Sequence, residues 1–343
     1  MNESLDHGFD SLIGFEAVAD RLMRGIRADR VAHAQIFLGP RGSGKGSLTR
    51  IYARALLCMG KEGKPCGMCG PCRRMAHGNH PDCIEIRGEG KYIRVDDARA
   101  LQAQLVVRPY EGGRKVIVIH GAHTMTPEAQ NKLLKALEEP PDYAVLLLLC
   151  ETDASLLDTV RSRCQTVHMP RVERRAIAQL LSDRLGLDAA RADTLSRLAD
   201  GRVGRALELA RSDDAIEARD EALALLITAL DPAGAVSALD ALGQNRSDLE
   251  GILSVWQTAL RDALMTQCGG ADIVYADRGR EVAMIAERLT RDGILSRLGA
   301  VAAAERRLRG NGAFLSVCSS MLLTLGGHTP DDFGTWGSLQ ANR

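Results

Sequence analysis

The residues of this 343-residue chain best suited to chemistry lie in a glycine-rich loop, Gly39-Pro-Arg-Gly-Ser-Gly44-Lys45-Gly46-Ser47. The loop follows the apolar run Ala34–Leu38 and opens a helical pattern from Ser47 to Leu57. In a strand–loop–helix setting, Gly39, Gly42 and Gly44 let backbone N–H groups approach phosphate oxygens, and Lys45 reaches the β and γ phosphates of a nucleotide. The magnesium-binding hydroxyl that normally follows the lysine is missing, because position 46 is glycine. Ser47 does not replace it, since one step along a helix turns a side chain by about 100°. The next strong strand, Lys115–Ile119, leads into His120-Gly-Ala-His123, where hydrolysis needs a metal-binding Asp and a catalytic Glu. Nucleotide binding, with ATP as the cofactor, and a vestigial loop kept for packing both stay open. Hydrolysis is not expected.

A second constellation is Cys66-Gly-Met-Cys69-Gly-Pro-Cys72. With a fourth thiolate this spacing completes a tetrahedral zinc shell, and a closed shell is structural rather than catalytic. Two cysteines can supply the fourth ligand. Cys58 ends the helix leading into the cluster and is the better placed; Cys83 opens an apolar strand, where a free cysteine is often core filling. Thiol spacing alone also admits an iron–sulfur cluster, but nothing else in the chain suggests redox work. His77 and His80 read as surface or capping residues.

These groups need elements to carry them. Apolar runs at Ile36–Leu38, Cys83–Ile86, Val116–Ile119, Val145–Leu149 and Thr166–Met169 read as strands. Helical spacing marks Ala17–Ala28, Gly46–Leu57, Val95–Val106 and Pro127–Leu137. Their alternation predicts an α/β fold, a parallel sheet with helices on both faces. Pro170 breaks the pattern, and helical spacing alone continues to Leu325. The expected division is an α/β domain over 1–169 with a knuckle at 58–83, a small helical domain over 170–212, a helical bundle over 213–326, and a Gly/Thr/Pro-rich tail, 327–343, read as disordered.

Composition narrows the function classes. Lysine plus arginine equals aspartate plus glutamate at 44 each, so no net charge draws the chain to nucleic acid. Aromatic residues are only 3%, which argues against base stacking as the main binding mode. No run of about 18 uncharged apolar residues suggests a membrane span. The start, Met1-Asn-Glu-Ser-Leu-Asp, lacks the features of a signal peptide. Nine cysteines, three of them clustered, suit a metal in a reducing compartment, so the cytoplasm is the expected location.

Taken together, Gly39–Lys45, the cysteine cluster, His80-Pro-Asp82, Asn131–Pro141 and Ser162-Arg163-Cys164 resemble the bacterial clamp-loader branch of the AAA+ superfamily. The resemblance covers residues 10–210 and continues to 325 by helical pattern and length only. It implies a nucleotide-binding-like domain with an inserted zinc knuckle, a helical lid, and an all-α collar that joins sister subunits. The family's zinc cysteines fall on Cys58, Cys66, Cys69 and Cys72. Arg163 takes the place of an arginine that reaches across a subunit boundary to a neighbour's ATP γ-phosphate, where a planar, permanently charged fork neutralises the transferred phosphoryl group. A surface arginine in a strand-entry loop is the plain alternative, and Arg161 sits two positions too early for the motif. Thr152 resembles a residue that senses the γ-phosphate, and equally caps the next turn. Arg205, in Gly201-Arg-Val-Gly-Arg205, resembles a second sensor arginine, and equally a solvated helix residue.

Members that hydrolyse ATP keep an acidic strand end, so His120–His123 implies the non-hydrolysing kind. By this resemblance the chain is a structural and regulatory subunit that lends Arg163 to an ATP-hydrolysing neighbour, so that the complex loads a sliding clamp onto primer–template DNA. Its implied partners are the other loader subunits (gamma/tau and delta), with clamp and DNA reached through the complex. No catalysis is expected from the subunit alone, and any polymerase chemistry belongs to the holoenzyme. His120 and His123, with no carboxylate to orient them, read as loop residues. Glu138 and Glu139 point in different directions on a helix and read as its end, at a surface between subunits. Two rivals are an active gamma/tau-type ATPase, which needs the missing acids, and a zinc-dependent DNA-binding module, which the neutral charge disfavours.

Overall fold

The computed structural model describes residues 9, 12–60, 64–88, 92–111, 113–212, 214–244, 248–270, 273–310 and 312–328. Most of the 327–343 tail, and with it the expectation of disorder, lies outside these residues. The chain divides into two compact units, Met1–Glu208 and Leu209–Arg343. The three-part division expected from the sequence is finer than this and stays a proposal.

The first unit runs α1 (Glu16–Arg27), β1 (Ala34–Leu38), α2 (Lys45–Leu57), α3 (Gly70–Ala76), β2 (Cys83–Ile86), α4 (Val95–Val106) and β3 (Lys115–His120). It continues through α5 (Pro127–Glu138), β4 (Ala144–Cys150), α6 (Asp158–Arg161), β5 (Gln165–His168), α7 (Arg174–Leu185), α8 (Ala189–Ala199) and α9 (Val203–Arg211). Among the described residues the strands form one parallel sheet in the order β2-β3-β4-β1-β5. The order follows from composition. Val145–Leu149 is apolar throughout, and β4 is buried at every position in the middle of the sheet. The less apolar β2 and β5 take the edges, where they are partly exposed.

Side chains alternate across the pleat. Ile36, Ile117, Ile119, Leu146 and Leu148 pack on one face with Leu101 and Leu105 of α4 and Leu133 and Leu137 of α5. On the other face Phe37 lies 6.2 Å, ring to ring, from Tyr52 of α2, and Gln35 Nε2 donates to the Tyr52 hydroxyl at 3.3 Å. Helices therefore cover both faces, as expected. Thr126 starts α5 by accepting the Ala129 N–H on its hydroxyl, with Pro127 at the first helical position. The buried Lys115 closes the other end of α4, where its Nζ donates to the carbonyls of Gln104 at 3.0 Å and Val107 at 2.6 Å.

The second unit is helical: α10 (Ala215–Ala229), α11 (Ala235–Gln244), α12 (Leu249–Gln267), α13 (Gly279–Arg288), α14 (Arg291–Arg309) and α15 (Phe314–Leu325). An apolar stripe on α12 forms part of its core: Leu249, Leu253, Trp256 and Leu260 are buried, while Ile252 and Leu264 are half-buried. The Trp256 indole donates to Ala222 O at 2.7 Å. Among the described residues no single helix is long and apolar enough to cross a membrane.

Candidate functional site

The loop after β1 sits at the carboxyl end of the sheet, beside the end of β4. Gly39 N–H donates to Cys150 O at 3.1 Å, which pins the loop to that strand. Gly42 has φ +76°, and its carbonyl accepts Gly204 N–H at 2.8 Å. A Cβ at position 42 would lie 2.8 Å from Arg205 N, so only glycine lets α9 start directly on the loop. The loop glycines, Lys45 and the start of α9 with Arg205 are thereby brought together. Lys45 Nζ donates to Gly39 O at 3.0 Å and Pro40 O at 3.2 Å. Burial lowers its pKa, and the carboxylate of Glu151, a neighbour the sequence reading did not single out, works in the opposite direction. The Thr152 hydroxyl accepts Ala154 N–H at 3.2 Å, an arrangement that caps the local turn.

At the end of β3, His120 has the carboxylate partner that the sequence reading did not give it. His120 Nε2 lies 3.1 Å from Glu85 Oε2, and Arg87 Nη2 lies 3.3 Å from the same nitrogen and 2.9 Å from that carboxylate. Strand register explains the meeting. Glu85 stands opposite Val118, and His120 is two residues further along the same face. The His120 hydrogen bond, followed by Arg87, holds the Glu85 carboxyl down to about 2. His123 is also engaged, its Nδ1 accepting Glu151 N–H at 3.3 Å. The strand end itself carries no acid: the carboxylate comes from the neighbouring strand and is occupied by His120 and Arg87.

The four cysteines expected to bind zinc converge. The sulfurs of Cys58, Cys66, Cys69 and Cys72 all lie within 4.8 Å of one another, with Cys58–Cys69 at 3.9 Å and Cys66–Cys72 at 4.0 Å. A regular tetrahedron with metal–sulfur bonds of about 2.3 Å requires sulfurs about 3.8 Å apart, so the cluster has the size of a zinc shell. Backbone N–H groups of Gly60 and Cys66 point at Cys58 Sγ (3.3 and 3.4 Å), and that of Cys69 at Cys66 Sγ (3.4 Å). Such bonds stabilise thiolates, and the Cys69 N–H is the main cause lowering the Cys66 thiol to about 6. A Cβ on Gly60 would stand 2.9 Å from Cys66 Cβ, so the close wrap depends on glycine there. This set can hold a metal such as zinc. Cys83 lies in β2, outside the cluster, where burial raises its thiol to about 12. His80 is not a surface residue: it is buried, and its Nδ1 accepts Asp82 N–H at 3.1 Å in a capping role.

Arg163 lies between α6 and β5, and its contacts lead to α5 rather than to the glycine loop. Nη1 donates to Thr159 O at 2.9 Å, and Nη2 is paired with Glu138 Oε1, also at 2.9 Å. Arg161 instead pairs with nearby acids, Asp158 at 2.5 Å and Asp153 at 3.7 Å. The segment leading into α6 is fixed by a residue that sequence reasoning missed. Buried Gln130 donates to Met125 O (3.1 Å) and Ser155 O (3.0 Å), and its Oε1 accepts Leu157 N–H at 2.7 Å. A glutamine on the apolar face of an otherwise regular amphipathic helix was the signal that could have found it.

Comparison with known proteins adds to this picture. The family described as DNA polymerase III, delta subunit, matches residues 14–173. The delta' subunit of Bacillus subtilis DNA polymerase III is 29% identical over 84% of this chain and 89% of its own. The tau subunit of Escherichia coli is 33% identical over 68% of this chain, which spans only 38% of that longer relative. A DNA polymerase III gamma-subunit-related protein of Thermotoga maritima superposes with a TM-score of 0.41 at 18% identity, over 90% of this chain and 99% of its own.

Proposed function

We propose that this chain, which belongs to the clamp-loader family of DNA polymerase III subunits, is its delta-prime member, a supporting subunit and not a motor. Support comes from the end of β3. A working hydrolytic site needs an acid there to hold magnesium and orient water. His120 stands in its place, and the nearest strand acid, Glu85, is bound to His120 and Arg87. The similarity to tau and gamma relatives is compatible with this reading, since the family resemblance implies that hydrolysing members keep the acidic strand end that His120 replaces here.

In this proposal Arg163 acts on a neighbour. Its guanidinium approaches the γ-phosphate of ATP held by an adjacent gamma/tau subunit and neutralises charge that develops as the phosphoryl group leaves. ATP binding there opens the sliding clamp, and hydrolysis after primer–template DNA has bound releases the clamp onto it. The four thiolates hold a structural zinc, which supplies no step of the chemistry and fixes the knuckle between α2 and β2. Gly39, Gly42, Gly44, Lys45, Thr152 and Arg205 line whatever nucleotide the subunit itself binds. The second unit serves as the collar that joins gamma/tau and delta. The subunit works in the cytoplasm.

The test is ATP turnover by the purified chain alone. A silent chain, with Lys45→Ala no different, supports the supporting role. Lys45-dependent turnover would make the chain a motor subunit of the gamma/tau type.

A further inference from the structure

We infer that Glu138 is the positioning residue for Arg163: it holds the guanidinium in the orientation from which it meets the partner's phosphate. The inference rests on the proposed trans role of Arg163 and adds to it a residue with no assigned role.

Three observations on the chain carry it. First, Glu138 is a carboxylate in the last turn of α5, just before Glu139-Pro140-Pro141. The negative end of the helix dipole opposes an acid there, and the residue's own helix gains nothing from it. A locally unfavourable choice points to a gain elsewhere, and Arg163, twenty-five positions along the sequence, is the cation 2.9 Å away. Second, the guanidinium is held on two sides. Nη1 is bound by Thr159 O at 2.9 Å and Ser162 Oγ at 3.3 Å, while Nη2 meets Glu138. Nε takes no part in these contacts, and the side chain is 37% exposed, so part of the fork remains accessible to an incoming anion. Third, the platform is braced at both ends of α5. Gln130 ties the start of the helix to Ser155 and Leu157, immediately before α6, and Glu138 ties its last turn to Arg163, two residues past α6.

An exposed arginine has many rotamers, and fixing one for catalysis costs conformational entropy. The Glu138 carboxylate and Thr159 carbonyl fix it before the partner arrives, the preorganisation that electrostatic stabilisation of a transition state requires. Glu138 does not touch the nucleotide. It acts through Arg163.

The test is a double-mutant cycle in the reconstituted loader, following DNA- and clamp-stimulated ATP hydrolysis with wild-type chain, Glu138→Ala, Arg163→Ala and the double variant. Glu138→Ala should lower kcat by about fivefold, the scale of one exposed ion pair, and leave KM for ATP unchanged. Glu138→Gln, which keeps the shape and an accepting oxygen, should recover part of the loss. In the Arg163→Ala background, removing Glu138 should change nothing further, because its only path to the phosphate is gone. If Arg163→Ala depresses kcat but Glu138→Ala does not, or if the two losses multiply, the positioning role is wrong while the trans arginine stands. If Arg163→Ala leaves kcat untouched, the trans role itself fails, and this inference fails with it. Unfolding midpoints of the variants, measured alongside, separate loss of the pair from loss of the fold.

Discussion

Gln130→Leu removes three hydrogen bonds while nearly conserving side-chain volume. The Gln130 side chain holds Met125 O, Ser155 O and Leu157 N–H at 3.1, 3.0 and 2.7 Å, and the residue is 1% exposed. A hydrogen bond contributes about 1 kcal/mol net, so the three, one buried and two part-buried, together contribute about 3 kcal/mol. Leucine's larger apolar surface returns roughly 1 kcal/mol, and the net loss is about 2 kcal/mol. At 1.4 kcal/mol per tenfold, backbone amides over residues 155–157 should exchange about 30-fold faster. Hydrogen exchange read by mass spectrometry on peptides covering that segment is the assay, with α10 in the second unit as the internal control. Exchange within about twofold of wild type at 155–157, with an unchanged denaturation midpoint, would refute the argument that this side chain fixes the approach to α6.

Two further outcomes are open to measurement. The purified chain should carry one zinc, retained in Cys83→Ser and lost in Cys72→Ser together with thermal stability; metal content by elemental analysis decides, and loss of zinc from Cys83→Ser would reassign the fourth ligand. Glu85 has a folded-state pKa held down to about 2 against an ordinary value of 4.5. A depressed carboxyl stabilises the fold above its unfolded pKa and loses that contribution as pH falls through the folded one. Wild type should therefore be more stable than Glu85→Gln near neutral pH, and the gap should close between the two values. A gap independent of pH across that acid range would count against the His120–Glu85 contact.

The sheet was legible because its strands are apolar without interruption and separated by helical spacing. Val145–Leu149 announced a strand, and the C-x-x-C-x-x-C spacing announced a thiol cluster. Cys58 joins that cluster because α2 ends where the knuckle begins. What was not legible depends on side chains meeting across the sequence. Glu85 and His120 meet because β2 and β3 are neighbours in a register that periodicity alone does not give. Glu138 was visible only as an acid at a helix end. Nothing local says that Arg163 lies beside it, since that proximity arises from the packing of α5 against α6. His80 read as a surface or capping residue because a histidine's burial is set by what covers it; here it is buried and still caps its own turn.

The measurement that bears most directly on the central claim is ATP hydrolysis by the assembled loader with Arg163→Ala in this chain alone. If the arginine completes a neighbour's site, kcat should fall steeply, because such a residue is worth about 10³-fold or more at a fully dependent site. Assembly and nucleotide affinity should hold, and Arg163→Lys, a point charge without the fork, should recover little. An assembled complex that hydrolyses ATP at the wild-type rate with alanine at position 163 would contradict the account.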